Sequence, residues 1–509
     1  MQITTFAAIE IGTYSTSMEI FEISKKQGLR TVNSLRHRLE LGKDAFRTGK
    51  ISVEFVEQLC RILKDFKNVM QEYQVSAYRA LGTSALREAE NSLFVLGRIE
   101  QSAGIKVELL SNSEQRFYTY KGIAAKEAAF QKIIEKGTAI LDVDGGSIQI
   151  SLFDKDTLVT TQNIKMGSMR VRERLHEVQK KTIHYERLVQ ELIHNEIFSF
   201  KKMYLKDRKI ENVIIRGDYF TRISEKNPSR TFSREEFQEW YQMVTRISPI
   251  ELAVKVGIPH EYASLLQPSA IIYRELIEEM GAQTIWMPDV KLADGIAYDF
   301  AEKKKLLKSA HNFENDILMA ARNIGKRYAV SKAHVLQVDK TATAIFDGMK
   351  KHHGLGDRER LLLQIAVLVH DCGKYISLGN VAECSYSIIM STEIIGLSHA
   401  EREMIANIVR FNTLPLPSYE QLARESSFGK KQYLTVAKLT AILRLANALD
   451  RSHLQKMEEI KVALRDLELV ITISAHQDYT LELGLLDEKK DFFEEIFHVR
   501  PVVKLKKLI

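Results

Sequence analysis

Apolar and polar residues alternate along residues 1–24, and Gly12 with its hydroxyl-bearing neighbours interrupts the alternation once. An alternation with a period of two is typical of β-strands, and a glycine-containing turn between two such runs predicts a hairpin. Residues 139–149 repeat the arrangement, with an apolar strand, an acidic residue near its end, a Gly/Ser turn and a second alternating strand. The same predicted hairpin therefore opens two successive segments of the chain.

Helical and strand-like segments alternate around these hairpins. Apolar residues with helical spacing occupy 53–73 and 114–134, whereas 77–81, 107–110 and 212–215 are short apolar runs typical of strands. Strands that alternate with helices are typical of α/β domains. We therefore predict an α/β fold for the front part of the chain.

The pattern changes near residue 301, where long helical periodicity replaces the strand-like runs and persists to about residue 456. Alternation returns from residue 459 onward, most clearly in Leu467–Ile473. A chain of 509 residues is too long for one hydrophobic core. We predict two α/β domains, an all-α domain and a small α+β domain, with the bounds 1–130, 131–300, 301–456 and 457–509.

Composition is that of an ordinary globular protein, with 45% hydrophobic residues, 27% charged residues and a formal net charge of +7. This charge is compatible with an anionic ligand and too small to indicate specific nucleic-acid binding. No apolar run approaches the ~18 residues of a membrane span, and no cleavable leader is expected. Cys60, Cys372 and Cys384 lack zinc-like spacing and are expected to be reduced thiols, which favours a cytoplasmic location.

The two predicted turns share a chemistry that suits phosphate. Glycines let the backbone turn tightly and present its N–H groups to an anion, and hydroxyl side chains add donors. The carboxylates that precede the turns, Glu10 and Asp142, can hold a metal ion or orient water. We expect the turns to form a phosphate clamp between two similar domains. The predicted phosphate-binding residues in the turns are Gly12, Thr13, Ser15, Gly145, Gly146 and Ser147.

Four further segments accompany the hairpins in a fixed order, namely 82–91, 110–115, 166–171 and 293–296. In this order the motifs resemble the exopolyphosphatase/guanosine-pentaphosphate phosphatase (Ppx/GppA) family, over essentially the whole chain. The resemblance implies two actin-like, ribonuclease-H-like domains around a cleft, then an all-α HD domain and a small α+β domain. It also implies release of terminal phosphate from inorganic polyphosphate or pppGpp, with Mg²⁺ (or Mn²⁺), by a homodimer.

The resemblance assigns roles to single residues. Arg87 matches an arginine that grips phosphate, a bidentate role that lysine could not fill equally. Glu10 stands for a family aspartate, Asp142 matches the second turn, and Glu114 lies one position before the family's water-activating glutamate. The predicted catalytic residues are therefore Glu114, Glu10 and Asp142. The third phosphate turn of the family is reduced here to residues 216–219.

Four positions depart from the family pattern. Gln115 and Gln149 stand where the family has carboxylates, Asp144 replaces a glycine, and Tyr14 replaces an asparagine. A glutamine can orient water but cannot accept its proton, and loss of a general base typically costs about 10²–10⁴-fold in rate. Asp144 also adds negative charge where an anion is expected to bind. Hydrolysis and binding without hydrolysis both stay open for this cleft.

A second candidate site lies in the helical domain. His334, the pair His370–Asp371 and Asp450 follow the order of the four metal ligands of an HD domain. The pair ends an almost wholly apolar run and is expected to be buried. Buried imidazoles and carboxylates need partners, and a shared divalent ion would serve all four groups. The alternative is a His–Asp hydrogen bond without metal.

Three functions are compatible with these two sites. The first is a phosphohydrolase that acts on polyphosphate or pppGpp in the cleft. The second is a metal-dependent phosphohydrolase whose active centre is the HD domain. The third is a non-catalytic regulator that binds phosphate or an alarmone. Each of them implies a phosphate-bearing or nucleotide ligand.

Overall fold

A computed structural model describes residues 3–126, 130–181, 184–217, 229–309, 311–475 and 477–507. At residues 260 and 261 it describes the backbone alone. The chain divides into two units, Met1–Phe313 and Glu314–Ile509. The helix Leu292–Lys303 belongs to the first unit and packs on its first strand.

The first sheet of the first unit is built on the predicted N-terminal hairpin. Its strands are β1 Thr4–Ile11, β2 Ser15–Ser24, β3 Gly28–Arg38, β4 Ala77–Gly82 and β5 Val107–Leu109. They lie in the order β3-β2-β1-β4-β5, with β1 antiparallel to β2 and parallel to β4. The sequence pattern does not predict β3, because its largely exposed residues show no sustained alternation.

The second sheet repeats the centre of the first. Its strands are β6 Thr138–Val143, β7 Ile148–Asp154, β8 Thr157–Ile164, β9 Asn212–Arg216, β10 Thr231–Ser233 and β11 Thr284–Trp286. They lie in the order β10-β11-β9-β6-β7-β8, with β6 antiparallel to β7 and parallel to β9. The prediction of two similar α/β domains is therefore confirmed. We call the first sheet with its helices lobe I and the second sheet with its helices lobe II.

Helices surround both sheets. Those of the first unit are α1 Leu41–Thr48, α2 Val53–Glu72, α3 Ser84–Glu88, α4 Ser92–Ala103, α5 Asn112–Lys126, α6 Phe130–Ile134, α7 Ser168–Leu175, α8 Tyr185–Phe200, α9 Arg234–Arg246, α10 Pro249–Val256, α11 His260–Met280 and α12 Leu292–Lys303. A short 3₁₀ turn at Gln179–Lys181 and a π turn at Lys201–Leu205 flank α8. The helix predicted over 114–134 corresponds to α5 and α6, and residues 127–129 between them lie outside the described residues.

Helix α12 returns to lobe I and crosses α5 at two glycines. A side chain at Gly295 would collide with the backbone of Tyr118, and a Cβ at Gly122 would lie 3.1 Å from the Gly295 nitrogen. Beside the crossing, Lys121 Nζ lies 2.9 Å from Asp299 Oδ1. This close contact fixes α5, whose first turn carries one of the cleft residues described below.

The second unit is helical and ends in a small sheet. Its helices are α13 Phe313–Arg327, α14 Lys332–Gly348, α15 Asp357–Val369, α16 Val381–Ser391, α17 His399–Arg410, α18 Tyr419–Glu425, α19 Lys430–Ala448, α20 Thr480–Gly484 and α21 Asp487–Phe497, with a 3₁₀ turn at Cys372–Tyr375. Its strands are β12 Met457–Arg465, β13 Glu468–Ala475 and β14 Arg500–Lys507, in that order. Among the described residues, no helix combines the length and apolarity that crossing a membrane requires.

Candidate functional site

The two predicted turns have the same internal hydrogen bond. In lobe I the Gly12 N–H donates to the Ser15 carbonyl at 2.9 Å, and in lobe II the Asp144 N–H donates to the Ser147 carbonyl at 2.9 Å. Each bond closes the hairpin immediately before its second strand. Asp144 therefore occupies in lobe II the position that Gly12 occupies in lobe I.

The turns face each other across the two lobes. Any side chain at Gly145 would collide with the Thr13 hydroxyl, and any side chain at Gly146 would collide with the Ser84 hydroxyl. A cavity lined by both turns opens beside this contact. Of the residues predicted for the site, those that line the cavity are Glu10, Gly12, Thr13, Ser15 and Gly145.

Packing behind the second turn explains its shape. A side chain at Gly167 would collide with the backbone of the turn. The N–H of Ser168, the first residue of α7, donates to the Asp144 carbonyl at 2.9 Å, and the Arg170 N–H donates to the Gly145 carbonyl at 2.9 Å. These bonds hold the turn against the start of α7.

Arg87 and Glu114 are engaged with other partners. The Arg87 guanidinium donates to a main-chain carbonyl and to Asn112 Oδ1. The Glu114 carboxylate accepts from the N–H and from the hydroxyl of Ser111, both at 2.9 Å, and so caps its own helix. In the described part of the chain, the cavity wall includes Gln115 but neither of these two residues. Their expected roles in phosphate binding and catalysis stay predictions.

Two amides and a cation surround Asp144. The side-chain amides of Gln115 and Gln149 both donate to Asp144 Oδ2, the second at 3.1 Å. Arg216 Nη1 lies 3.4 Å from Asp144 Oδ1. The two glutamines at positions where carboxylates were expected are therefore both hydrogen-bond donors to Asp144.

Asp142 shares the same cation. Arg216 Nη1 lies 2.9 Å and 3.1 Å from the two Asp142 oxygens, and Thr119 Oγ1 donates to Asp142 Oδ2 at 3.3 Å. Both charged side chains are buried. Burial removes their hydration, and the hydrogen bonds between them compensate for that loss. The sequence reasoning missed Arg216 as the cation of the site. A charge directly after the apolar run 212–215 was the available signal.

Beyond Arg216, the described part of the predicted third turn supplies one residue to the cavity wall. Gly217 lines the cavity next to Arg216. Asp218 and Tyr219 lie outside the described residues. Gly146 and Ser147 belong to the second turn, but the described cavity wall does not include them.

A divalent ion held by the Asp142 carboxylate does not fit this arrangement, because both Asp142 oxygens already accept from a buried guanidinium. Among the described residues, the group of three or more His, Cys, Asp or Glu side chains that could hold a metal ion lies in the second unit. The expected Mg²⁺ (or Mn²⁺) stays a prediction, and no step in the cleft is assigned to it.

Tyr14 reaches from the lobe I turn into the hydrophobic core of lobe II. Its ring centroid lies 4.8 Å from that of Tyr262, and 5% of the residue is exposed. Burial, followed by the nearby Glu40 carboxylate, raises the pKa of the Tyr14 phenol far above its ordinary value, so the phenol stays protonated. The hydroxyl has no hydrogen-bond partner among the described residues. Tyr14 therefore joins the lobes by apolar contact and forms part of the cavity wall.

The second unit brings three of the four predicted metal ligands together. Ligand atoms of His334, His370 and Asp371 lie within 4.8 Å of one another. Asp450 accepts from His334 Nδ1 at 2.7 Å and from the Gln455 N–H at 2.9 Å. Asp450 is thus placed to orient His334, in the way that carboxylates orient metal-binding histidines.

His370 has an orphaned nitrogen. Its Nδ1 donates to the Val367 carbonyl at 2.8 Å, whereas its buried Nε2 has no hydrogen-bond partner among the described residues. Burial lowers the pKa of His370, which favours the neutral ring that binds metals. Two imidazoles with one carboxylate suit Mn²⁺ or another transition metal better than Mg²⁺. The donor set therefore fits a metal ion.

Two neighbours of this triad were missed by the sequence reasoning. The His453 ring stacks on the His334 ring with centroids 3.6 Å apart, and Asn447 Oδ1 lies 3.1 Å from His334 Nε2. Lys374 Nζ lies 2.6 Å from Asp371 Oδ2. Burial acts to raise the pKa of Asp371, but the neighbouring His370 and Lys374 outweigh it, so the carboxyl has a lowered pKa.

Comparison with known proteins places the chain in a class. Residues 20–304 match the Ppx/GppA phosphatase family, and residues 318–491 match domain III of Ppx/GppA phosphatases. The chain belongs to the Ppx/GppA phosphatase family.

Curated relatives extend over most of the chain. It is 19% identical over 480 residues to the guanosine-5'-triphosphate,3'-diphosphate pyrophosphatase of Photobacterium profundum, with 92% of each chain covered. A protein of the same name from Aeromonas hydrophila subsp. hydrophila is 20% identical over 465 residues, with 87% of this chain and 86% of the relative covered.

Solved structures share the fold. A Ppx/GppA family member from Aquifex aeolicus gives a TM-score of 0.50 at 18% identity, with 60% of this chain and 99% of that chain covered. An exopolyphosphatase from Cytophaga hutchinsonii gives a TM-score of 0.51 at 17% identity, with 60% and 100% covered. At these identities the likeness establishes the fold alone.

Proposed function

We propose that this protein is a phosphohydrolase that releases terminal phosphate from inorganic polyphosphate or pppGpp in the cleft between lobes I and II. The observation that carries the proposal is the pair of turns with identical internal hydrogen bonds, which face each other across a polar cavity. Relatives named as pyrophosphatases of guanosine-5'-triphosphate,3'-diphosphate, and a fold neighbour named as an exopolyphosphatase, support this substrate class.

The groups around the cavity suit a terminal phosphate. Thr13, Ser15 and Gly145 bring hydroxyl and backbone N–H groups to its wall, and the Arg216 guanidinium, which is paired with Asp142 and Asp144, also lines it. Charge-assisted hydrogen bonds from such donors to phosphate oxygens are the strong class of hydrogen bond. Held in this way, the terminal phosphorus would be oriented for attack by a water molecule in the cavity.

Phosphate release from polyphosphate, pppGpp and a panel of nucleotides tests the proposal. The Thr13→Val variant removes one wall hydroxyl without changing the side chain's size, and we expect kcat/KM to fall about 10-fold or more, since a hydrogen bond to a charged group contributes about 1.5–3 kcal/mol. Thr31→Val, at an exposed threonine of β3, is the matched control and should behave as wild type. Equal activity of the two variants would remove the cleft from the reaction. Tight binding of polyphosphate or pppGpp without any release would instead identify a regulator.

We propose a second candidate function for the second unit, metal-dependent phosphoester hydrolysis at His334, His370 and Asp371. The buried, unpartnered Nε2 of His370 beside two other ligand groups favours it. Bound Mn²⁺ would supply a Lewis acid at this triad. Asp371→Asn should abolish Mn²⁺ binding measured by calorimetry and any Mn²⁺-dependent phosphoesterase activity. Unchanged Mn²⁺ binding by the variant would exclude the site.

A further inference from the structure

The cleft retains a carboxylate, but at a position shifted along the chain. Gln115 and Gln149 cannot accept a proton, and both direct their amide N–H groups at Asp144 Oδ2. Gln149 does so although its own Oε1 is buried and has no hydrogen-bond partner among the described residues. An unsatisfied buried carbonyl is destabilising, so this orientation of the Gln149 amide indicates that its hydrogen bond to Asp144 is favourable.

A purely structural role does not account for Asp144. Asp142 already gives Arg216 two contacts, at 2.9 and 3.1 Å, whereas Asp144 Oδ1 is 3.4 Å away. The Asp142 side chain is 4% exposed, and the Asp144 side chain is 23% exposed at the cavity wall. Asp142 is thus the buried partner of the guanidinium, whereas Asp144 lines the cavity, as Glu10 does.

We infer that Asp144 is the catalytic carboxylate of this cleft, a general base that takes the place of the carboxylates expected at positions 115 and 149. This inference rests on the proposed phosphohydrolase function. Gln115 and Gln149 are then positioning residues, because they fix the carboxylate through its Oδ2 atom.

The reaction is hydrolysis of a terminal phosphoric anhydride. The oxygen of a water molecule forms a bond to the terminal phosphorus while one proton of that water passes to a carboxylate oxygen of Asp144. The bond between the phosphorus and its bridging oxygen breaks, and the bridging oxygen leaves with the electron pair. The proton on Asp144 is then released to solvent or to the leaving group. The step needs water alone as co-reactant.

The Asp144→Asn variant tests the inference. It keeps the shape and one acceptor oxygen but removes the base, so kcat should fall about 10²–10⁴-fold while KM for polyphosphate changes by less than about 3-fold. Asp65→Asn, at an exposed aspartate of α2, is the matched control and should retain wild-type kcat. Circular dichroism and thermal unfolding of both variants monitor folding.

A second variant keeps the inference testable if Asp144→Asn folds poorly. The exchange Asp144→Gly/Gln115→Glu/Gln149→Glu returns the carboxylates to the family positions and should recover kcat to within about 10-fold of wild type. Gln115→Glu alone should lower kcat, because it places two carboxylates within contact and disturbs Asp144 by like-charge repulsion.

The possible outcomes distinguish the inference about Asp144 from the proposed phosphohydrolase function. Loss of kcat in Asp144→Asn together with recovery in the exchanged variant supports the inference. An active wild type with an equally active Asp144→Asn overturns the inference and leaves the proposed function standing. A wild type that releases no phosphate from polyphosphate or pppGpp overturns the proposed function and the inference with it.

Discussion

The cleft of the first unit and the triad of the second unit differ in how their buried polar groups are partnered. In the cleft, Arg216 lies against Asp142 and Asp144, so the site contains its own cation. In the triad, His370 Nε2 has no hydrogen-bond partner among the described residues, and the nearby Asp371 Oδ1 lies 3.7 Å from it. In the cleft, the cation is compensated by two carboxylates of the protein itself, whereas in the triad a buried nitrogen without a hydrogen-bond partner among the described residues is prepared for a metal cation. The two polar clusters thus differ in whether the protein itself supplies the partner of a buried polar group.

The largest expected effect tests the internal cation of the cleft. Arg216→Leu leaves Asp142 and Asp144 without their guanidinium, and removal of one partner of a buried pair typically costs about 3–5 kcal/mol. Denaturant unfolding should show a loss of this size. Arg187→Ala removes an exposed ion pair with Glu191 and should cost at most about 1 kcal/mol. Equal losses in the two variants would show that Arg216 has no special role in the cleft.

Addition of a metal ion tests the triad of the second unit. Saturating Mn²⁺ at about 100 times its Kd should stabilise the protein by about 2.7 kcal/mol, because the ion binds the folded triad and not the unfolded chain. The His370→Ala variant should show no such stabilisation in thermal unfolding, and chelation should reverse it in wild type. A wild type that is indifferent to Mn²⁺ would contradict the proposal that the triad binds a metal ion.

His353 sharpens the comparison, because it is a buried imidazole of the same unit with both nitrogens bonded. Its Nε2 donates to the Phe346 carbonyl at 3.0 Å, and its Nδ1 accepts from the Leu355 N–H at 2.9 Å. Burial lowers the pKa of His353 below its ordinary 6.5. The neutral ring therefore contributes stability that is fully present above pH 6.5 and is lost as the pH falls, by up to about 1.4 kcal/mol per pH unit.

Unfolding free energies of wild type and His353→Gln between about pH 8 and pH 5 measure this contribution. Wild type should be the more stable at the high end, and the difference should shrink toward the low end. A difference that is constant with pH would contradict the bonding pattern, since it would mean that His353 is not held neutral.

Substitution of Tyr14 in the first unit is expected to give the smallest change in the free energy of unfolding. Its hydroxyl is buried without a partner among the described residues, so Tyr14→Phe should stabilise the protein by up to about 1 kcal/mol. Tyr14→Asn should destabilise it because the contact with Tyr262 in the lobe II core is lost. Destabilisation by Tyr14→Phe would show that the hydroxyl has a bonded partner in solution.

The sequence predicts the fold better than the site. The two hairpins were evident because a half-buried strand must alternate, and the change to helices near residue 301 was evident from periodicity. The site depends on where side chains of distant segments meet. Glu114 and Gln115 are neighbours in sequence, yet one caps α5 and the other reaches Asp144. No local pattern distinguishes two adjacent polar residues at a helix start, so the sequence alone does not tell which of the two reaches Asp144.

The same limit applies to Arg216 and to His453. Arg216 follows a buried strand, and its pairing with Asp142 depends on the parallel register of β6 and β9, which joins Asp142 to Arg216. His453 lies close to Asp450 in sequence, but its stacking on His334 depends on the packing of the chain after α19. Register and packing are properties of the folded chain that hydrophobic periodicity does not encode.

The initial rate of phosphate release from polyphosphate by Asp144→Asn and Asp371→Asn, compared with wild type, tests the central claim most directly. The account predicts that Asp144→Asn loses about 10²–10⁴-fold in kcat while Asp371→Asn stays close to wild type, because the anion site in the cleft performs the reaction. The reverse result, in which Asp371→Asn loses the activity and Asp144→Asn keeps it, would contradict the account and move the active centre to the second unit.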